Sequence, residues 1–96
     1  MGYVRMNYMT FVSKEAADDI ESNYAETAPD NFPDATILVF ARTGECTATL
    51  TSVYPDKDGF ERSAAERKSK MASNAGKIEK VVLEEGDAAL AFTRQR

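Results

Sequence analysis

The side chains of this 96-residue chain best suited to holding a small molecule are three tyrosines and one asparagine: Asn7, Tyr8, Tyr24 and Tyr54. A tyrosine hydroxyl donates a hydrogen bond while its ring packs against an apolar surface, so such residues can orient a phenolic or enolate ligand. The same residues also suit a small core in which the rings pack and the hydroxyls reach the edge. The residue types alone leave both interpretations open.

Arg67 and Met71 lie on the apolar stripe of a helix that we predict after Pro55. Arg67 could bind a ligand carboxylate or stabilise a developing anion. It could instead lay its apolar stem on the core with its charged head in water, or pair with an acidic residue. Met71 fills a core or an adaptable apolar pocket equally well. Arg5, in a predicted strand, needs a partner or a polar pocket, because an unpaired buried guanidinium is costly.

Several chemistries lack their usual residues. The chain has no histidine and one cysteine, Cys46, which excludes an intrachain disulfide and a cysteine cluster for zinc or iron–sulfur. Histidine is the commonest general base and metal ligand, and no histidine is present to activate Cys46, which we therefore interpret as a small core residue. The acidic stretch 84–87 could bind a cation weakly, but it is more typical of a turn. We predict no metal and no cofactor.

Composition and charge narrow the class of protein. Hydrophobic residues make up 43% and charged residues 29%, as in an ordinary soluble globular domain, and the length suits one domain over residues 1–96. The net charge of −4 argues against nucleic acid as the main partner, since phosphate binding needs clustered cations. No apolar run is long enough to span a bilayer and no signal peptide is evident, so we predict no membrane partner and a cytoplasmic location.

The segment 35–55 is predicted to form two strands joined by a tight turn at Thr43-Gly44, with Gly44 taking the positive φ that such a turn requires. The first of these strands does not alternate apolar and polar residues: Leu38 and Phe40 point one way, and Ile37, Val39 and Ala41 the other. Both faces of its sheet must therefore be covered. Helices of the chain can cover one face, and a second copy is the simplest cover for the other, which predicts a homodimer.

The remaining elements follow from periodicity and capping residues. We predict a first strand over 3–12 and a helix from Lys14, capped by Ser13, that ends at about Ala28 before Pro29. Phe32 is expected to fill a gap under the loop that follows. The hairpin strands are predicted over 35–42 and 45–54, a second helix from about 55–58 to about Asn74 with Asp58 and Glu61 as a capping box, and a fourth strand over 77–84. Residues 85–87 are predicted to turn, and 88–93 to form a short last strand or an arm reaching a partner.

The order β–α–β–β–α–β is typical of the ferredoxin-like, split-βαβ arrangement, an α+β fold with both helices on one face of an antiparallel sheet. Two stretches make the resemblance more specific: the opening YVRMNYMTF, which leads into the helix capped by Ser13, and TLTSVYPDKDGFERSAAERKSKM. They resemble the dimeric α/β-barrel superfamily, which includes antibiotic biosynthesis monooxygenases, stress-responsive barrel proteins and muconolactone isomerase-like proteins. The resemblance implies two sheets packed face to face in a homodimer.

One departure from that superfamily bears on activity. Many members carry a histidine early in the second helix, or a tryptophan or histidine in the pocket, whereas residues 61–67 read ERSAAER. Haem-handling members are therefore a poor match. Cofactor-free chemistry stays open, because some members rely on polar and aromatic pocket residues.

The sequence thus predicts a small-molecule-binding protein with a mostly apolar pocket between sheet and helices and a small apolar or aromatic ligand. The residues predicted to line this pocket are Asn7, Tyr8, Tyr24, Tyr54, Arg67 and Met71. Two alternatives stay open. One is a cofactor-independent monooxygenase or isomerase of the antibiotic biosynthesis monooxygenase type. The other is a non-catalytic dimerisation or ligand-sensing module. Whether the chain is an enzyme is left undecided.

Overall fold

The computed structural model describes residues 2–94 as a four-stranded antiparallel sheet in the order β2-β3-β1-β4, with helices over one face. This is the predicted ferredoxin-like α+β fold. The elements in chain order are β1 (Tyr3–Phe11), α1 (Lys14–Asn31), β2 (Ile37–Arg42), β3 (Thr47–Tyr54), α2 (Lys57–Arg62), α3 (Ala64–Ser73) and β4 (Ile78–Asp87). No helix in the described part of the chain is long and apolar enough to cross a membrane.

The core lies between α1 and the centre of the sheet. β1 and β3 pair so that Met9 lies opposite Ala48, on the face that carries the buried Phe11. The buried stripe of α1, Ala16, Ala17 and Ile20, packs onto these residues. Burying each large apolar side chain contributes roughly 1.5–3 kcal/mol to folding, so this contact holds α1 against the sheet.

α1 begins as predicted but ends later. The Ser13 side chain accepts a hydrogen bond from the Ala16 N–H at 3.0 Å. The helix continues through Pro29 to Asn31 instead of ending at Ala28, so that prediction is wrong. A proline in the last turn costs one intrahelical hydrogen bond, and the Phe32 N–H still reaches the Ala28 carbonyl at 2.9 Å. Ala28 and Phe32 are both buried, as predicted for Phe32, and their burial holds the extra turn in place.

The β2–β3 connection is longer than the predicted tight turn. The strands end at Arg42 and resume at Thr47, and no residue from 2 to 94 has a positive φ, so the conformation predicted for Gly44 is wrong. The N–H groups of Thr43 and Gly44 both reach the Thr47 carbonyl, at 3.1 and 3.3 Å. A Cβ on Gly44 would lie 2.7 Å from Thr47 Oγ1, so a larger residue here would require the Thr47 side chain to shift.

The predicted second helix is two helices, α2 and α3, which meet at Ser63. The N-cap is Asp56, whose carboxylate accepts from the Gly59 N–H at 2.8 Å, and the predicted box of Asp58 and Glu61 does not start the helix. At the break the Phe60 carbonyl accepts from Ser63 N at 3.1 Å and from Arg67 Nη1 at 2.8 Å. An uninterrupted helix would use that carbonyl for the residue four positions on.

β4 extends through the residues predicted to turn. Pairing with β1 runs on to Tyr3 opposite Asp87, with Gly86 opposite Val4. The additional backbone hydrogen bonds of this longer pairing with β1 explain why Gly86 is accommodated in the edge strand β4. Residues 88–94 form no further strand, although the Ala88 N–H still reaches the Gly2 carbonyl at 2.8 Å. Leu90 and Phe92 are 83% and 63% exposed, and an arm that reaches a partner stays a prediction.

The two faces of the sheet differ as strand β2 predicts. Leu38 and Phe40 share the helix-covered face with Ser52 and Leu50, their partners on β3. Val39, opposite Thr51, lies on the other face. This second face, which we call the open face, carries Tyr8, Val39 and Val82, which are 43%, 48% and 45% exposed. A single copy of the chain therefore leaves an apolar sheet face uncovered.

Candidate functional site

A cavity of about 90 Å³ lies between the helix-covered face of the sheet, α1 and α3. The sheet contributes apolar side chains, among them Met9, Phe40 and Leu50, and α1 contributes Ile20. Polar groups project among them from both layers: Arg5, Asn7, Ser52 and Tyr54 from the sheet, Tyr24 from α1, Arg67 and Lys70 from α3. An apolar cavity with a few convergent polar groups is the usual form of a small-molecule site.

The structure brings five of the six predicted pocket residues around this cavity: Asn7, Tyr24, Tyr54, Arg67 and Met71. Tyr8 does not lie there. Its side chain is on the open face, where its hydroxyl contacts Met6 Sδ at 3.8 Å. The prediction for Tyr8 is wrong because successive residues of a strand point to opposite faces, so Asn7 and Tyr8 cannot line one pocket. That the other five bind a ligand is still a proposal.

Tyr24 is the polar residue of the cavity whose bonding is incomplete. Its ring packs on Phe40, with 5.6 Å between ring centroids. Its hydroxyl oxygen is buried and has no hydrogen-bond partner among the described residues. Burial raises the pKa of Tyr24 to about 12, although the nearby Ser52 hydroxyl acts in the opposite direction without a hydrogen bond of good geometry. At neutral pH Tyr24 is therefore an uncharged donor at the wall of the cavity.

Arg67 is held in place by the break between the two helices. Its guanidinium stacks 3.7 Å from the centre of the Phe60 ring, and its Nη1 donates to the Phe60 carbonyl. The Phe60 ring in turn contacts Tyr54, with centroids 5.6 Å apart. No carboxylate in residues 2–94 forms an ion pair with Arg67. The acidic partner that the sequence left open is thus not found within that range, and cation–π stacking holds the side chain instead.

Arg5 is the second guanidinium of the cavity. It pairs with Glu85 of β4 at 2.9 Å, and Glu85 also accepts from the Tyr3 hydroxyl at 3.2 Å. The expectation that Arg5 needs a partner is confirmed. Burial lowers the pKa of Arg5, the positive charge of Arg67 lowers it further, and Glu85 opposes both. The two guanidinium groups are therefore close enough to repel each other.

A polar cleft between α1 and α3 adjoins the cavity, because Asn23, Lys70 and Asn74 line both. The cleft has a volume of about 570 Å³ and carries charges of both signs, such as Asp19 and Lys77, 3.8 Å apart. The cleft is thus polar where the cavity beside it is mostly apolar.

Residues that sequence reasoning left out of the pocket include Arg5, Ser52 and Lys70. A signal for two of them exists: strand alternation places Ser52 on the face of Tyr54, and Arg5 on the face of Asn7.

Cys46, predicted as a core residue, is only half-buried, because β3 begins after it. In the described part of the chain no three His, Cys, Asp or Glu side chains cluster as metal ligands do. The expectation that the chain holds no metal and no cofactor stays a prediction.

Comparisons with known proteins identify the fold. No protein-family model matches the sequence, and no curated protein matches it significantly. Solved structures do match. A dimeric ferredoxin-like protein from an uncultured marine organism superposes with a TM-score of 0.76 at 13% identity, over 98% of this chain and 93% of that chain.

Two further structures are described by an activity, established for one and proposed for the other. SnoaB, a cofactor-independent oxygenase from Streptomyces nogalater, gives a TM-score of 0.77 at 18% identity, over 97% of this chain and 98% of that chain. A candidate antibiotic biosynthesis monooxygenase from Caulobacter crescentus CB15 gives 0.70 at 18% identity, over 93% and 92%. At these identities the likeness shows a shared fold, the one that the sequence resemblance predicts, and not a shared activity.

Proposed function

We propose that this chain binds a small organic molecule in the cavity between the sheet and helices α1 and α3. The observation that carries the proposal is the buried Tyr24 hydroxyl, which has no partner within residues 2–94 and lies at the wall of an apolar space. An unsatisfied buried hydroxyl costs roughly 1–3 kcal/mol. A ligand that accepts a hydrogen bond from it would recover that free energy.

The size of the cavity limits the ligand. Its 90 Å³ is small beside the ~300–1,000 Å³ of typical ligand sites. An engineered apolar cavity of about 150 Å³ takes up benzene. This cavity is smaller, so a single ring or a short branched chain is the upper limit of what enters it. The adjoining cleft can hold a polar remainder of the molecule. The proposed ligand is therefore small and apolar or aromatic at its inner end.

Native mass spectrometry of freshly purified protein tests this proposal directly, because it reports any retained molecule together with the mass of the assembly. We expect an added mass that disappears on denaturation. Titration with benzyl alcohol, followed by amide chemical shifts, covers the case in which the natural ligand is lost in purification. Shifts should concentrate around Tyr24, Leu50 and Met71. No retained mass and no saturable shift there would overturn the proposal.

A second candidate is cofactor-independent oxygenation or isomerisation of such a molecule. It is supported by the fold shared with SnoaB and by a cavity in which an uncharged Tyr24 donor and the Arg67 charge converge on one space. These groups would stabilise a phenolate or enolate as it forms. Oxygen consumption and product analysis with the molecule recovered by mass spectrometry test it. Unchanged ligand under oxygen would restrict the role to binding, including the third candidate, a ligand-sensing or dimerisation module.

The assembly that we propose for any of these roles is a homodimer formed through the open face. Tyr8, Val39 and Val82 leave that face apolar and exposed, and a structure of the same fold is described as dimeric. Burying these side chains against a second copy would recover roughly 25 cal/mol for each Å² of apolar surface. Light scattering should give twice the chain mass. A folded monomer at micromolar concentration would contradict this assembly.

A further inference from the structure

We propose that the molecule bound in the cavity carries an anionic oxygen group, a carboxylate, phenolate or enolate, held between Arg5 and Arg67. This inference rests on the proposed binding function and names the chemical class of its ligand. It starts from the charges at the wall. The described residues that line the cavity include three cations, Arg5, Lys70 and Arg67, and no aspartate or glutamate.

That excess of positive charge runs against the composition of the chain, which carries 16 acidic and 12 basic residues. The acids are elsewhere: Asp18 and Glu21 pair with Arg42, and Asp34 pairs with Arg62, all outside the cavity lining. Of the two guanidinium groups at the wall, Arg5 is neutralised by Glu85, and no carboxylate of residues 2–94 pairs with Arg67. The cavity therefore retains at least one uncompensated cation.

The geometry leaves donors free for an anion. A guanidinium has five N–H donors. Arg5 directs Nη1 at Glu85, and Arg67 directs Nη1 at the Phe60 carbonyl, so nitrogens remain on both groups. Tyr24, uncharged at neutral pH, adds a third donor that needs an acceptor. Hydrogen bonds to a charged acceptor are about twice as strong as neutral ones, so three donor residues lining one cavity favour an anion over a neutral ligand.

Repulsion between the two guanidinium groups points the same way. The positive charge of Arg67 lowers the pKa of Arg5, so each guanidinium raises the cost of burying the other. Glu85, which lies on β4 opposite Arg5, offsets this repulsion for Arg5 and not for Arg67. An anion between the two arginines would relieve the repulsion that Glu85 leaves.

The test compares two probes of equal size, benzoate and benzyl alcohol, titrated into the full chain and followed by amide chemical shifts. We expect benzoate to bind about tenfold more tightly than benzyl alcohol at low salt. Arg67→Met keeps an apolar stem and removes the charge, and it should abolish the preference while benzyl alcohol still binds. Arg62→Met is the matched control, because it removes the same charge from an exposed arginine that pairs with Asp34 outside the cavity. It should leave the preference intact.

A variant with the opposite expected effect guards against misfolding. Glu85→Gln frees Arg5 from its carboxylate, and we expect it to tighten benzoate binding severalfold without a matching change for benzyl alcohol. Equal affinity of the wild-type chain for the two probes would overturn the anion inference and leave the binding function standing. Equal losses in Arg67→Met and Arg62→Met would also overturn it, since they indicate an effect of net charge alone. If neither probe binds, the proposed function itself fails.

Discussion

The two faces of one sheet have different chemistry, although the same strands supply both. On the helix-covered face, β1 and β3 place Asn7, Ser52 and Tyr54 among apolar residues and beneath α1 and α3. The open face carries the neighbouring strand positions, such as Tyr8 and Val53, together with a row of threonines on β3 and Val39 on β2. The covered face holds a cavity with cationic and phenolic groups. The open face is an uncharged, extended surface over its central strands.

This difference shows how a short chain can support two contacts without an additional domain. Strand alternation separates the residues of the site from those of the interface by one position. A substitution at either kind of position should therefore affect one contact and spare the other. The following predictions test that separation.

The largest expected effect is on the covered face. Phe11→Ala removes a fully buried ring from the contact between β1 and α1 and should lower the free energy of unfolding by about 3–5 kcal/mol. Tyr8→Ala, three positions earlier and on the open face, should cost far less when unfolding is measured at concentrations where the chain is monomeric. Denaturant titration of both variants measures the contrast. Equal losses would show that the open face is packed within the single chain.

Val39→Asp tests the open face as an interface. A carboxylate without a partner in an apolar contact costs about 3–5 kcal/mol. We expect the dimer to dissociate and the monomer to keep its cavity. Light scattering and benzyl alcohol titration report the two outcomes separately. Thr43→Asp, in the exposed β2–β3 connection, is the control with the same added charge. A dimer that persists in Val39→Asp would place the interface elsewhere.

Tyr24→Phe separates stability from binding on the covered face. Removing a buried hydroxyl that has no partner among the described residues should raise the free energy of unfolding by about 1 kcal/mol. The same change should weaken binding of any ligand that accepts from this hydroxyl. Tyr8→Phe is the matched control and should change neither quantity. A loss of stability in Tyr24→Phe would indicate that the hydroxyl is bonded, for example to water.

The same phenol predicts a pH dependence, confined to strongly alkaline solution. The pKa of Tyr24 is about 12 in the folded chain against 10 as its ordinary value, because burial disfavours the phenolate. Below pH 10 the phenol is protonated in both states, and as the pH rises from 10 towards 12 the free energy of unfolding falls, since only the unfolded chain releases this proton. Thermal unfolding of the wild type and Tyr24→Phe over that range should diverge, with the wild type losing more. Parallel curves would contradict the burial of this phenol.

The fold was predictable to a large extent, and the errors concern element ends. Periodicity and the Ser13 cap located α1, yet Pro29 misled the prediction of its end, because burial of Ala28 and Phe32 outweighs one lost hydrogen bond. The split between α2 and α3 was not predictable from periodicity, since the Phe60 carbonyl there bonds to the side chain of Arg67 and not to the backbone four positions on. Likewise Gly86 is typical of a turn, but pairing with β1 keeps it in a strand.

The candidate site was predictable as residue types and not as an arrangement. Five residues that line the cavity were identified: Asn7, Tyr24 and Tyr54 as polar aromatic or amide side chains, and Arg67 and Met71 from their place on the apolar stripe of the second helix. Tyr8 was included wrongly beside Asn7, because strand alternation shows that one of two neighbours faces inward but not which one. Arg5 entered only as a residue in need of a partner, since Glu85 lies 80 positions away in the chain.

The sequence by itself determined the order of strands and helices, the apolar residues on both sides of β2 and the absence of histidine. These are local or compositional properties, and each residue carries them wherever the chain goes. Only the tertiary structure decided which face of β1 is covered, left the Tyr24 hydroxyl without a partner in residues 2–94, and brought Arg5 and Arg67 to one cavity. These properties depend on contacts between residues that are distant in the chain. Strand alternation and helical periodicity restrict such contacts to a few possibilities, and the packing of the folded chain selects one of them.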